Sequence, residues 1–170
     1  MAANTYTLIS SNVLASSAAS VTFSSIPATY TDLVLRVSAR RAEAGRQDLL
    51  IKPNNDTTNN SGTNIQGSGA AATSNATSAQ SIKIANIIPS TNETANTFCN
   101  AEFYMPNYAG SANKPSGTFG VGENNATTAY IVANASLSQI ASAISSIVLS
   151  LASGTFASGS SFYLYGIKNS

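Results

Sequence analysis

Residues 32–41 read DLVLRVSARR. Leu33, Leu35, Val37 and Ala39 alternate with Arg36, Ser38 and Arg40. A period of two, with one apolar set and one wet set, is the pattern of a strand that buries a single face. The same pattern recurs on either side. Tyr6 and Leu8 alternate with Thr7 and Ile9 in residues 5–10, and Val21 and Phe23 share a face in 20–24. Residues 49–52 and 82–88 are apolar runs stopped by Pro53 and Pro89. In 98–105, Cys99, Ala101, Phe103 and Met105 fall on one face; Asn100, Glu102 and Tyr104 fall on the other. Residues 116–121, 129–133, 144–151 and 161–168 complete the set.

Gly, Pro, Asn and Ser turn signals separate these segments. About eight to ten short strands without helical patterns between them predict an all-β chain, an antiparallel β-sandwich. One competing pattern stays open: in 133–147 (ANASLSQIASAISSI), Leu137, Ile140, Ala141 and Ile144 lie at helical spacing.

The length, 170 residues, predicts one domain spanning 1–170. Ser, Thr and Asn number 62, whereas Ile, Leu, Val and Phe number 36, so the core is lean and further stability is expected from a partner or from copies of the chain. Composition also excludes function classes. With no His, the usual general base near neutral pH is missing, as are Ser-His-Asp and Cys-His pairs. One Cys and no His remove the common zinc sites, and neither a metal nor a cofactor is expected. A net charge of +1 is a poor match to nucleic acid, whose phosphates need many Lys and Arg contacts. The most apolar window, residues 140–152, holds four serines and is too short to span a bilayer, so no membrane partner is expected.

The chain changes character at about residues 53–80. The stretch NNDTTNNSGTNIQGSGAAATSNATSA (54–79) has one Ile, three Gly and no aromatic residue. Only Ile65 offers an anchor to a core. The expectation is a Ser/Thr/Asn/Ala-rich loop: either a mobile excursion or an arm that orders against a neighbouring subunit.

The remaining motifs are weak. Ser111-Ala-Asn-Lys114 fits Ser-x-x-Lys, but among so many serines one match is close to chance, and its Lys-Thr-Gly partner is missing. Glu93, Glu102 and Glu123 could pair for glycoside hydrolysis, but no Trp is present to stack a sugar ring. Asp56 among Asn and Thr lacks the EF-hand spacing. No catalytic residue is assigned. Arg36, Arg40, Arg41 and Arg46 hold half the positive charge, interleaved with Glu43 and Asp48. They read as an exposed strand end with local ion pairs or as a contact to an acidic partner surface.

Several strings carry a resemblance: YTLISS at the start, VTFSSIPATYTDLVLRVSARR, AEFYMPNYAGSANKPSGTFGVGENNATTAYI, and SFYLYGIKNS at the end. They are similar to a family of small virion structural proteins of tailed bacteriophages, including phages of cyanobacteria. The resemblance covers nearly the whole chain except 54–79. It implies a virion component with a jelly-roll-like sandwich, on the head or on the tail. A small, compact, Ser/Thr/Asn-rich chain without disulfides or metals suits the head, as a capsid decoration, or cement, protein made in the host cytoplasm and placed on the virion. Its partners would be the major capsid protein and further copies, as a homotrimer. The alternative is a tail or head-fibre adhesion module that docks glycans through loops such as 107–115 and 123–128. Proposed contact residues are Tyr6, Arg40, Arg41, Arg46, Asn59, Asn60, Asn64, Asn107 and Tyr108.

Overall fold

The computed structural model describes residues 5–122, 125 and 129–168. Twelve strands lie among them: β1 (Tyr6–Val13), β2 (Ser20–Phe23), β3 (Asp32–Ser38), β4 (Gln47–Pro53), β5 (Asn60–Gly67), β6 (Ala72–Gln80), β7 (Ile82–Ile88), β8 (Asn100–Pro106), β9 (Lys114–Val121), β10 (Ile131–Ser138), β11 (Ile147–Leu151) and β12 (Ser161–Ile167). They form two antiparallel sheets. The larger has the order β1-β12-β3-β8-β9-β10-β5-β6, the smaller β2-β11-β4-β7. The chain is an all-β sandwich. Its eight-plus-four partition does not by itself establish the jelly-roll winding that the resemblance implies.

Strand β3 supplies the centre of the core, as its alternation predicts. Leu33, Leu35, Val37 and Ala39 are 0–3% exposed. They join Leu49 and Ile51 of β4, Val21 and Phe23 of β2, and Ile147 and Leu149 of β11 in one buried cluster. Each such aliphatic side chain contributes roughly 1.5–3 kcal/mol by leaving water. Phe156 and Phe162 close one end, edge to face at 5.0 Å between ring centroids. Cys99 is buried among them as a small hydrophobe.

Two expectations are corrected. Residues 133–147 are not helical: β10 runs through Ser138, an irregular segment follows, and β11 begins at Ile147. The polar insertion is not a loop without regular structure. It is the β5–β6 hairpin, and β5 pairs with β10 from Asn60↔Ser138 to Gly67↔Ile131. Ile65 does not anchor it, being 63% exposed; Asn60 and Asn64 are the buried residues of β5.

Asparagine abundance has a conformational use. Of the seven described non-glycine residues with positive φ, six are Asn: 54, 55, 86, 96, 107 and 125. Asn tolerates the left-handed region better than other residues that carry a Cβ. Asn54 also ties its turn to the irregular segment before β11: its Oδ1 accepts from the N–H groups of Ser145 and Ser146, and its Nδ2 donates to Ala143 O.

Candidate functional site

The outer face of the large sheet can be followed row by row from its register. Tyr165, Val34, Tyr104, Gly117, Ala135 and Thr63 lie side by side across β12, β3, β8, β9, β10 and β5. The next row runs Tyr163, Arg36, Glu102, Phe119, Ala133, Ile65, and Val121, Ile131 and Gly67 lie in the row beyond. Phe119 and Ile131 are 52% exposed, and Tyr104 is 39% exposed. At the far edge, Tyr6, Leu8 and Val13 of β1 are at least half exposed. The charges on this face belong to Asp32, Arg36 and Glu102, and each is engaged. Arg36 Nε meets Glu102 Oε2 at 3.0 Å, and Asp32 accepts from Tyr104 Oη and from Asn107 N. The bond to Asp32 raises the Tyr104 phenol, with burial adding to it.

At β9, β10 and β5 the usual amphipathic sense is reversed. A sandwich ordinarily turns apolar residues to its core and polar ones to solvent. Here, beside Val132 of β10, which joins the apolar core, the inward set is polar: Lys114, Ser116 and Thr118 of β9, Asn134, Ser136 and Ser138 of β10, and Asn60 and Asn64 of β5, all buried. Between them on the same strands, Phe119, Ile131 and Ile65 point outward.

The inward layer is only partly satisfied. Lys114 Nζ donates to the carbonyls of Gly110, Ala112 and Ile140, and burial pulls its ammonium below the usual lysine range. Asn134 Nδ2 donates to Lys83 O. By contrast, Asn60 Oδ1, Asn64 Oδ1, Gln66 Oε1, Ser116 Oγ, Thr118 Oγ1 and Ser138 Oγ are buried with no protein hydrogen-bond partner among the described residues. Such groups oppose folding.

Glycines shape this region. Gly117, opposite Tyr104, has open space where a Cβ would stand, and a shallow depression there is lined by Glu102, Tyr104, Thr118, Phe119 and Asn134. On the inner side, a Cβ at Gly120 would come within 2.9 Å of the Ile87 side chain, so any larger residue there would force Ile87 of β7 to shift.

The proposed contact residues do not converge. Tyr6 is on the outer face, its ring edge-on to Tyr165. Asn59 and Asn107 are exposed in turns. The others are structural. Arg40 is buried and donates to the carbonyls of Ser90, Glu93, Thr94 and Thr97, holding the loop before β8. Arg41 binds the carbonyls of Ala44 and Gly45 and the Glu43 carboxylate. Bonds from Thr155 above all hold that carboxyl below the usual range. Arg46 Nε meets Glu93 at 2.7 Å, with Asn86 O and Gly122 O as further acceptors. A ready contact to an acidic partner is therefore not what these arginines form. Asn60, Asn64 and Tyr108 are buried, and Tyr108 Oη donates to Pro27 O.

Asp56 is a turn acceptor. Burial would raise its pKa, but donation from Asn59, Thr58 and Asn60 outweighs this and lowers it. Among the described residues no group of three or more His, Cys, Asp or Glu is placed to hold a metal, and no helix is long and apolar enough to cross a membrane. Glu123 and most of the 123–128 loop lie outside the described residues. Of the other two glutamates considered for hydrolysis, each is paired with an arginine.

No family model matches the chain, and neither a curated protein nor a solved structure is significantly similar to it.

Proposed function

We propose that the chain is a virion structural protein: a capsid decoration protein of a tailed bacteriophage that lies on the outer capsid surface, contacts the major capsid protein and its own copies, and stabilises the shell. The observation that carries this reading is the reversed amphipathic pattern of β9, β10 and β5, which leaves Phe119, Ile131 and Ile65 on an almost uncharged outer face. Apolar surface held in water is an adhesive surface: each 100 Å² covered by a partner returns roughly 2.5 kcal/mol before the costs of association. The resemblance supplies the partner's class, and the face supplies the means. The mechanism is binding alone, with strand surface buried at seams between capsid subunits. Heating virions with and without the protein tests it. A higher rupture temperature with the protein is expected, and identical temperatures overturn the cementing role.

A second reading has one observation in its favour. Tyr104 and Phe119 flank the depression at Gly117, beside the Glu102 carboxylate. Rings beside a polar group suit a glycan, which fits an adhesion module. Binding of purified protein to host cells, abolished by Tyr104→Ala, would favour that reading over cementing.

A further inference from the structure

Strand β6 ends the order of the large sheet. One side of its backbone pairs with β5, and among the described residues no strand lies beside the other. Residues 72–76 are exposed on both faces of the sheet: Ala72, Ser74 and Ala76 outward, Thr73 and Asn75 inward. The small sheet reaches β10 and β5 through β7, and β6 lies beyond that cover. The strand thus has one ladder of hydrogen bonds and almost no burial to offset the entropy of ordering it.

Natural sheets blunt such edges with Lys, Pro, bulges or short strands. Strand β6 is nine residues long. No charged residue occurs between Asp56 and Lys83, and no proline between Pro53 and Pro89. Its one irregularity falls toward its C-terminal end, where the pairs Asn60↔Gln80 and Gly62↔Thr77 are out of step, so Ala72–Thr77 is a regular run. The opposite edge, β1, is interrupted near its middle, between Leu8 and Ser10.

We infer that β6 is a self-pairing edge. It binds β6 of a second copy, antiparallel about a two-fold axis, and joins two eight-stranded sheets into one. The occupant follows from the strand's own chemistry. Aligned on itself about a point near Asn75, the run ATSNAT sets Thr73 against Thr77 and Asn75 against Asn75, pairs that hydrogen-bond across strands, and opposes no like charges. Symmetry favours the same edge over the other one. A β6–β6 contact consumes both open edges and closes at two copies, whereas β6 on β1 leaves an edge at each end and grows without limit. The contact is separate from the apolar outer face, stands whether or not the chain is a virion component, and differs from the homotrimer expected of a decoration protein.

Sedimentation of the purified full chain over a range of concentration is the test, with Thr73→Lys and Asn75→Lys as variants. The expected result is a dimer for the parent chain and a monomer for each variant, with unchanged circular dichroism. A parent chain that stays monomeric at its highest soluble concentration overturns the proposal, as does a trimer or a dimer that both variants leave intact. Should a variant unfold, amide exchange in the parent chain reads the same contact. Protection within 72–77 that is lost on dilution supports the pairing, and protection indifferent to dilution overturns it.

Discussion

Arg46 Nε lies 2.7 Å from Glu93 Oε1, and both side chains are less than a tenth exposed. The guanidinium also bonds Asn86 O and Gly122 O and lies over the Tyr130 ring, 5.3 Å from its centroid. One residue thus ties the loop before β8 to the ends of β7 and β9. Removing one partner of a buried pair strands the other charge and costs about 3–5 kcal/mol. Glu93→Gln is expected to lower the unfolding free energy by that order, read as a lower urea midpoint. Arg46→Lys keeps the charge but loses the planar fork, so it should fall between Glu93→Gln and the parent. Equal midpoints for all three chains would show that the pair contributes nothing.

Cys99 predicts a pH dependence. Burial pushes its thiol from an ordinary 9.0 up to about 12. The unfolded thiol gives up its proton near the lower value and the folded one only near the higher. The folded state therefore holds more protons in between, and stability falls as pH rises through that window. The contribution is complete below pH 9 and lost towards pH 12. Tyr108, also raised chiefly by burial, acts in the same direction, whereas Lys114, lowered by burial, acts against it. Cys99→Ala should lose stability by a fixed amount at neutral pH yet show a shallower decline above about pH 9. Parallel urea-midpoint curves for the two chains would refute the assignment.

Much of the fold was legible because it is written in hydropathy contrast. Ten of the twelve strands overlap segments where apolar residues alternate or run together. Strands β5 and β6 were not, since Ser, Thr, Asn, Gly and Ala supply no contrast from one residue to the next. They are held by pairing to β10 and by buried Asn60 and Asn64, side chains that composition places in loops. The outer face was hidden for the opposite reason. Alternation in 114–121 is plain, but the rule that puts apolar residues inside chooses the wrong face, because Lys114, Ser116 and Thr118 are the buried set. Only the pairing of β9 with β10 and of β10 with β5 shows it. Arg40 and Arg46 were misplaced because charge suggests exposure, and nothing local announces the carbonyls that receive them.

The reversed face separates stability from adhesion. Phe119→Ser and Ile131→Ser remove side chains that are half exposed, so each is expected to change the unfolding free energy by about 1 kcal/mol, the span of strand propensity, and by much less than a core truncation. Phe103→Ala, on the core face of the neighbouring strand, should cost about 3–5 kcal/mol. If the outer face docks on a capsid, the first two variants should melt near the parent and fail to bind shells lacking the protein. Full binding by a Phe119→Ser, Ile131→Ser double variant would remove this face from the contact.

The orphaned hydroxyls beneath that face make the last prediction. Thr118 Oγ1 and Ser138 Oγ are buried with no protein partner among the described residues, and a buried hydroxyl left unbonded costs more than an apolar group of the same shape. Thr118→Val keeps the outline of the side chain and Ser138→Ala removes one atom. Each is expected to raise the unfolding free energy by about 1 kcal/mol. Thr118 is opposite Asn134 in the register, four residues along β10 from Ser138, or roughly 13 Å at strand rise. Sites so far apart should act independently, so the double variant should show the sum of the two gains. A loss in both single variants would mean that the hydroxyls are bonded in solution and that the polar layer is a satisfied network. The outward apolar residues would then no longer be set against a strained interior, and adhesion would have to rest on the exposed surface alone.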